Sequence, residues 1–151
     1  MKRSKRLQSI LDLVITREDE INNRLGQARQ RLEKARNSLS SLHEFRTNYT
    51  QRFNQSGELG MGIRQMLEYR AFLSKINAAM EEQEKAITRN ENEMERLRSV
   101  WEHAHRKTMG VRKVLEKSLV EENRRAEKTL QSEMDEWASR KTTSSKDRDE
   151  N

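Results

Sequence analysis

The chain has 151 residues, 32% of them hydrophobic and 37% charged, and it contains neither proline nor cysteine. Disulfide frameworks, zinc fingers and thiol nucleophiles are excluded, and no residue type forbids helix from one end to the other. The net charge of +6 comes from 31 basic and 25 acidic side chains, which reads as a mixed, solvated surface more than a nucleic-acid footprint.

The basic opening, Lys2, Arg3, Lys5 and Arg6, is followed by no signal-peptide core and reads as a solvated terminus. No apolar run approaches the roughly 20 residues that span a bilayer, so a soluble, cytoplasmic protein is expected. From Leu7 onward apolar residues recur at steps of four and three: Leu7, Leu11, Val14, Ile21, Leu25, Ala28, Leu32, Ala35, Leu39, Leu42, Tyr49 and Phe53. Only Glu18 and Arg46 interrupt them. A period of 3.5 keeps one stripe facing a partner helix and predicts a coiled-coil helix over residues 4–54.

Residues 55–62 hold Gly57, Gly60 and Gly62 and are predicted to form a turn. A second seam then runs through Met66, Tyr69, Leu73, Ile76, Met80, Ile87, Met94, Leu97, Trp101, Ala104, Val111 and Leu115. Its polar members are Gln83, Asn90, Thr108 and Ser118. It predicts a longer helix over residues 63–140. The fold expected is all-α, two long helices in an antiparallel coiled-coil hairpin. Pairing Leu39 with Ile76, Ala28 with Ile87 and Ile21 with Met94 makes each pair's position numbers total 115, which sets the pivot between Gly57 and Glu58. Residues 112–140 would then overhang, and the polar residues 141–151 would be disordered.

No catalytic constellation is visible. His103 and His105 lie on different sides of a helix, and the turn glycines lack the lysine and preceding strand of a phosphate-binding loop. No enzymatic activity, cofactor, metal or small-molecule substrate is expected. Two sets of apolar residues look outward instead. Phe45 and Phe72 stand just off the seams on one flank, with Tyr49, Tyr69 and Ala79 beside them, and exposed aromatics on a charged surface mark partner sites. Leu115, Leu119, Ala126, Leu130, Met134 and Trp137 form one stripe along the overhang, which calls for a partner protein.

The stretch Leu42, Phe45 and Tyr49 before the turn, and Glu68-Tyr69-Arg70-Ala71-Phe72-Leu73 with Ile76, Ala79 and Gln83 after it, resembles the FliJ family. This is the small coiled-coil component of the bacterial flagellar export apparatus. Arg98 to Trp101 and Glu133-Met134-Asp135-Glu136 are similar to two further family segments, and the likeness covers residues 7–140. The resemblance implies a non-enzymatic stalk, like the rotary ATPase γ-subunit coiled coil, that promotes assembly and activity of the hexameric export ATPase. It also implies contact with the cytoplasmic domain of the export-gate protein FlhA, binding of export chaperones at no site singled out here, and peripheral association with the inner membrane.

Carried over by residue, the gate-binding surface would be Leu42, Phe45, Tyr49, Phe72, Ile76, Ala79 and Gln83. Phe45 replaces a frequent family tyrosine and Gln83 a histidine of some members. The termini side, with Leu7, Val14, Ile21, Trp101, Leu115, Leu119, Leu130, Met134 and Trp137, would enter the ATPase ring. Alternative readings are the equivalent stalk of a virulence-type secretion system and a structural or nucleic-acid-associated coiled coil, although nucleic acid is not the expected partner.

Overall fold

The computed structural model describes every residue apart from Met1, Leu59, Met61, Glu150 and Asn151. Two long helices pack on one another: α1, Arg3–Glu58, and the longer α2, Ile63–Asp149. No strand occurs among the described residues.

The first turn of α1 is basic and carries no acidic side chain, an unfavourable match to the positive end of a helix dipole. The Lys2 carbonyl accepts from the Lys5 and Arg6 amides at 3.1 and 3.4 Å. The remaining need is met from α2: the Glu122 carboxylate accepts from the Ser4 amide at 3.2 Å and from the Ser4 hydroxyl at 2.8 Å. A carboxylate of one helix thus caps the start of the other. The Ser4 hydroxyl, then the Ser4 amide and the charges of Lys2 and Arg125, hold the Glu122 carboxyl below its usual range against the opposing effect of desolvation.

At the turn, α1 continues four residues past the predicted end and takes Gly57 into the helix. The Gly57 carbonyl accepts from Gly60 at 3.3 Å, and the Gly62 carbonyl accepts from Met66 at 3.2 Å as α2 begins. Of the three turn glycines only Gly60 has a positive φ, 90°, where a side chain would be strained.

The molecule divides into two units. In the unit of residues 18–103, Ile21, Leu25, Ala28, Leu32 and Ala35 of α1 are buried, as are Ile76, Met80 and Leu97 of α2. Leu25, Ala28 and Leu97 form one cluster with Met94 packed against it. In the unit of residues 1–17 and 104–151, Leu11, Ala104 and Leu115 are buried with the polar Thr108 and Ser118. The Thr108 hydroxyl meets the Ala104 carbonyl of its own helix at 3.0 Å and lies 3.5 Å from the Val14 carbonyl of α1, so its burial leaves no polar atom unsatisfied.

These contacts correct the expected register. Phe53 stacks on Tyr69 and Thr108 reaches Val14, pairs whose position numbers each total 122, one heptad away from the expected 115. Leu97 joins Leu25 and Ala28 in one cluster with Met94 packed against it, as that register requires. Apart from exposed Met66 the seam follows the predicted stripes, but the partners differ, because a seven-residue repeat matches itself after a shift of seven and the seam alone cannot choose. The turn chooses: α1 ends at Glu58 and α2 starts at Ile63, which moves the pivot past Gly57.

The overhang is corrected in consequence. Residues 112–122 are not unpartnered, since Leu115 and Ser118 are buried and Glu122 holds Ser4. Every described side chain from 123 to 144 is exposed. Helix also continues through residues 141–149, where disorder was expected. No proline or glycine follows Gly110 to stop it, and Thr142 and Thr143 return hydroxyl bonds to the Ala138 and Ser139 carbonyls at 2.9 Å. Residues 150 and 151 lie outside the described residues.

The register is tested with paired cysteines in this cysteine-free chain. Ala28→Cys with Met94→Cys should cross-link on oxidation, and Ala28→Cys with Ile87→Cys should not, since one heptad displaces the partner by about 10 Å, beyond disulfide reach. The cap gives a second expectation. A carboxyl with a lowered folded pKa contributes stability that is present above the usual carboxylate pKa and lost as pH falls through the lowered value. Amide exchange protection at residues 3–6 should therefore exceed that of Glu122→Gln at neutral pH, and the two proteins should converge in acid.

Candidate functional site

Three aromatic side chains of α1, Phe45, Tyr49 and Phe53, recur every four residues and so share one face. Tyr69 and Phe72 of α2, three apart, meet them in the unit of residues 18–103. Phe53 stacks on Tyr69 with ring centroids 3.6 Å apart and Tyr49 stacks on Tyr69 at 5.4 Å. Phe72 tilts against Tyr49 at 4.5 Å and against Phe45 at 5.7 Å. The five rings form a continuous ladder that crosses between the helices. The Tyr69 hydroxyl donates to the Thr50 hydroxyl at 3.2 Å, which satisfies the polar end of a half-buried ring.

One end of the ladder faces solvent. Phe45 is 52% exposed, whereas Tyr49, Phe53, Tyr69 and Phe72 are half-buried. Beside it Arg46, a charged residue at a seam position, extends its guanidinium to the Asn77 carbonyl oxygen at 3.1 Å and lies 3.3 Å from His43 Nδ1. A shallow groove at the other end is lined by Arg52, Phe53, Ser56, Gln65, Glu68 and Tyr69. Exposed Ile63, Met66 and Leu67 follow at the start of α2. Met66 was expected in the seam.

Of the residues assigned to the gate by resemblance, Phe45 and Ala79 are exposed, and Leu42, Tyr49, Phe72 and Gln83 are half-buried. Ile76 is a correction to that surface: it is 5% exposed and belongs to the helix-pair core, as its place in the second seam requires in either register. Phe53 and Tyr69 were left out of that surface, although the spacing of Phe45, Tyr49 and Phe53 would have placed the first among its neighbours.

The second surface lies in the unit of residues 1–17 and 104–151. Leu130, Met134 and Trp137 are 58%, 62% and 65% exposed at helical spacing, preceded by exposed Leu119 and Ala126. The Lys141 ammonium stands 5.0 Å from the Trp137 ring centroid. The rest of the set expected to contact the ATPase is less accessible: Leu7, Val14 and Trp101 are half-buried. Ile21 at 4% and Leu115 at 7% exposure are corrections, because both fill the helix-pair core.

Both surfaces are built mainly of apolar side chains. No group of His, Asp or Glu among the described residues stands close enough to hold a metal ion, and no described helix is long and apolar enough to cross a membrane. What both offer is apolar area on an otherwise charged exterior, the chemistry of protein association.

Residues 3–146 match the family model described as Flagellar FliJ protein. No curated protein and no solved structure matches the chain.

The ladder should separate into structural and accessible rings. Tyr69→Ala removes two stacks and a hydroxyl bond and should destabilise the helix pair by about 2 to 4 kcal/mol. Phe45→Ala truncates a half-exposed ring and should cost less than about 1 kcal/mol. Urea melts followed by circular dichroism give both values, and equal losses would make Phe45 a core residue.

Proposed function

The chain belongs to the FliJ family and is thus a component of the flagellar export apparatus, and from that premise we propose that it is a non-enzymatic coiled-coil stalk acting on the export ATPase ring. In this reading it promotes assembly and turnover of the hexamer and links it to the cytoplasmic domain of the export gate FlhA, with a further capacity to bind export chaperones. It works in the cytoplasm at the inner-membrane face of the apparatus.

The observation that carries the reading is the fully exposed helical stretch from residue 123 to 144, whose apolar stripe of Leu130, Met134 and Trp137 has no cover within the chain. One helix in a six-fold pore meets the subunits unequally. If it binds the nucleotide states of those subunits with different affinities, it biases their populations in turn, which is the only way a bound stalk can alter turnover. Leu119 extends the same contact. In the same unit Leu7 and Val14 are half-buried and Leu115 fills the core.

The gate surface in this reading is the exposed end of the aromatic ladder: Phe45 with Tyr49 and Phe72, flanked by Leu42, Ala79 and Gln83, and held from below by Ile76. Rigid rings already stacked on one another lose little conformational freedom on binding, which suits them as anchors.

Purified protein added to its cognate export ATPase should raise the hydrolysis rate. Combined Leu130→Ala, Met134→Ala and Trp137→Ala should reduce that stimulation at least about fivefold with helix content unchanged, because all three side chains are exposed. Full stimulation by the triple variant would remove the stripe from the mechanism, and no stimulation by the intact chain would overturn the stalk reading. Phe45→Ala should weaken capture by the FlhA cytoplasmic domain and leave the ATPase effect intact.

A further inference from the structure

Charge is divided unevenly between the two units. Residues 18–103 carry fourteen basic and fourteen acidic side chains, so the entire net charge of +6 belongs to residues 1–17 and 104–151. The excess is patterned along α2. At 3.6 residues per turn Arg106, Lys113, Lys117, Arg124 and Lys128 fall within about 60° of one another, on the side opposite buried Ala104, Thr108, Leu115 and Ser118. All five are exposed, and none makes a hydrogen bond or ion pair among the described residues.

Elsewhere on α2 several basic residues are matched within a turn: Lys85 with Glu81 at 3.8 Å, Arg96 with Glu93 at 2.7 Å, Arg125 with Glu121 at 2.8 Å. Of the carboxylates beside the stripe, Glu121 is engaged by Arg125, away from it. Glu116 and Glu127 border its edges. Within the stripe Val120 is 70% exposed, and Met109 beside it 49%.

We propose that this stripe is a docking face for the anionic surface of a lipid bilayer. The five charges lie along roughly 33 Å of helix and in one line, so a plane of negative headgroups meets all of them at once. A nucleic-acid duplex offers a straight line only its phosphate crossings, a few in each turn of about 34 Å, and the stripe has no aromatic side chain on which single-stranded bases would stack. Val120 and Met109 suit the headgroup boundary, where a basic helical face with sparse apolar side chains settles without inserting deeply. The apolar stripe of Leu130, Met134 and Trp137 lies about a third of a turn away around the helix, so the face is separate from the surface assigned to the ATPase and does not depend on that assignment.

The full chain is sedimented with vesicles of phosphatidylcholine containing about a third phosphatidylglycerol, and with pure phosphatidylcholine vesicles, in about 0.1 M salt. Binding is expected to the anionic vesicles alone and to fall steeply as salt rises. Combined Lys113→Gln, Lys117→Gln and Arg124→Gln should lower the partition coefficient about a hundredfold, at about fivefold per charge. Combined Arg24→Gln, Arg29→Gln and Lys34→Gln removes the same charge from exposed positions of the other unit and should retain binding.

Circular dichroism checks that both variants stay helical, and Arg106→Gln with Lys128→Gln provides a second reading of the same face if the triple variant does not. Equal loss in the stripe and control variants would reduce the effect to net charge and overturn the proposal. So would equal binding to the two vesicle types, or stripe-dependent binding to duplex DNA with none to vesicles.

Discussion

Each helix here has a single stripe to bury, and the only surface available to cover it within the chain is the stripe of the other helix. That constraint governs everything else. Small residues are needed where the backbones approach, and Ala28 in the core has no exposure at all. The polar Thr108 enters the seam with its hydroxyl bond met through its own helix. Most other described side chains are exposed or half-buried.

The two apolar surfaces sit differently with respect to that seam. The aromatic ladder is continuous with it: Tyr49 and Tyr69 occupy seam positions and support Phe72 and Phe45 outward from there. A partner that docks on Phe45 thereby rests on rings fixed by the fold. The stripe of Leu130, Met134 and Trp137 has no such support. It extends past the point where Glu122 caps α1, on a helix kept intact by its own hydrogen bonds, by pairs such as Arg125 with Glu121, and by the absence of proline. Isolated helices are marginal in water, so this segment gains most of its order from whatever covers it.

Charge adds a third organisation that apolar patterning does not show. The unit that holds the aromatic ladder is neutral, with fourteen basic and fourteen acidic side chains. The other unit concentrates the positive excess of the chain and leaves five basic side chains of one α2 face unmatched. A composition that reads as evenly mixed is uneven once residues 1–17 and 104–151 are brought into one unit.

The helices, the seam residues and the position of the break were legible in the sequence, because a 3.5-residue apolar period and a cluster of glycines are local signals that survive without knowledge of partners. Phe45 and Trp137 were legible as outward-facing for the same reason. Family membership followed from the residues around the turn. Pairing was not legible. A heptad seam is unchanged by a shift of seven, so only the closed turn, with Gly57 inside α1 and Gly60 at positive φ, decided which residues meet. That one choice shifted the start of the exposed stretch from residue 112 to 123. It also set Glu122 against Ser4, a contact between residues 118 positions apart that no local pattern encodes.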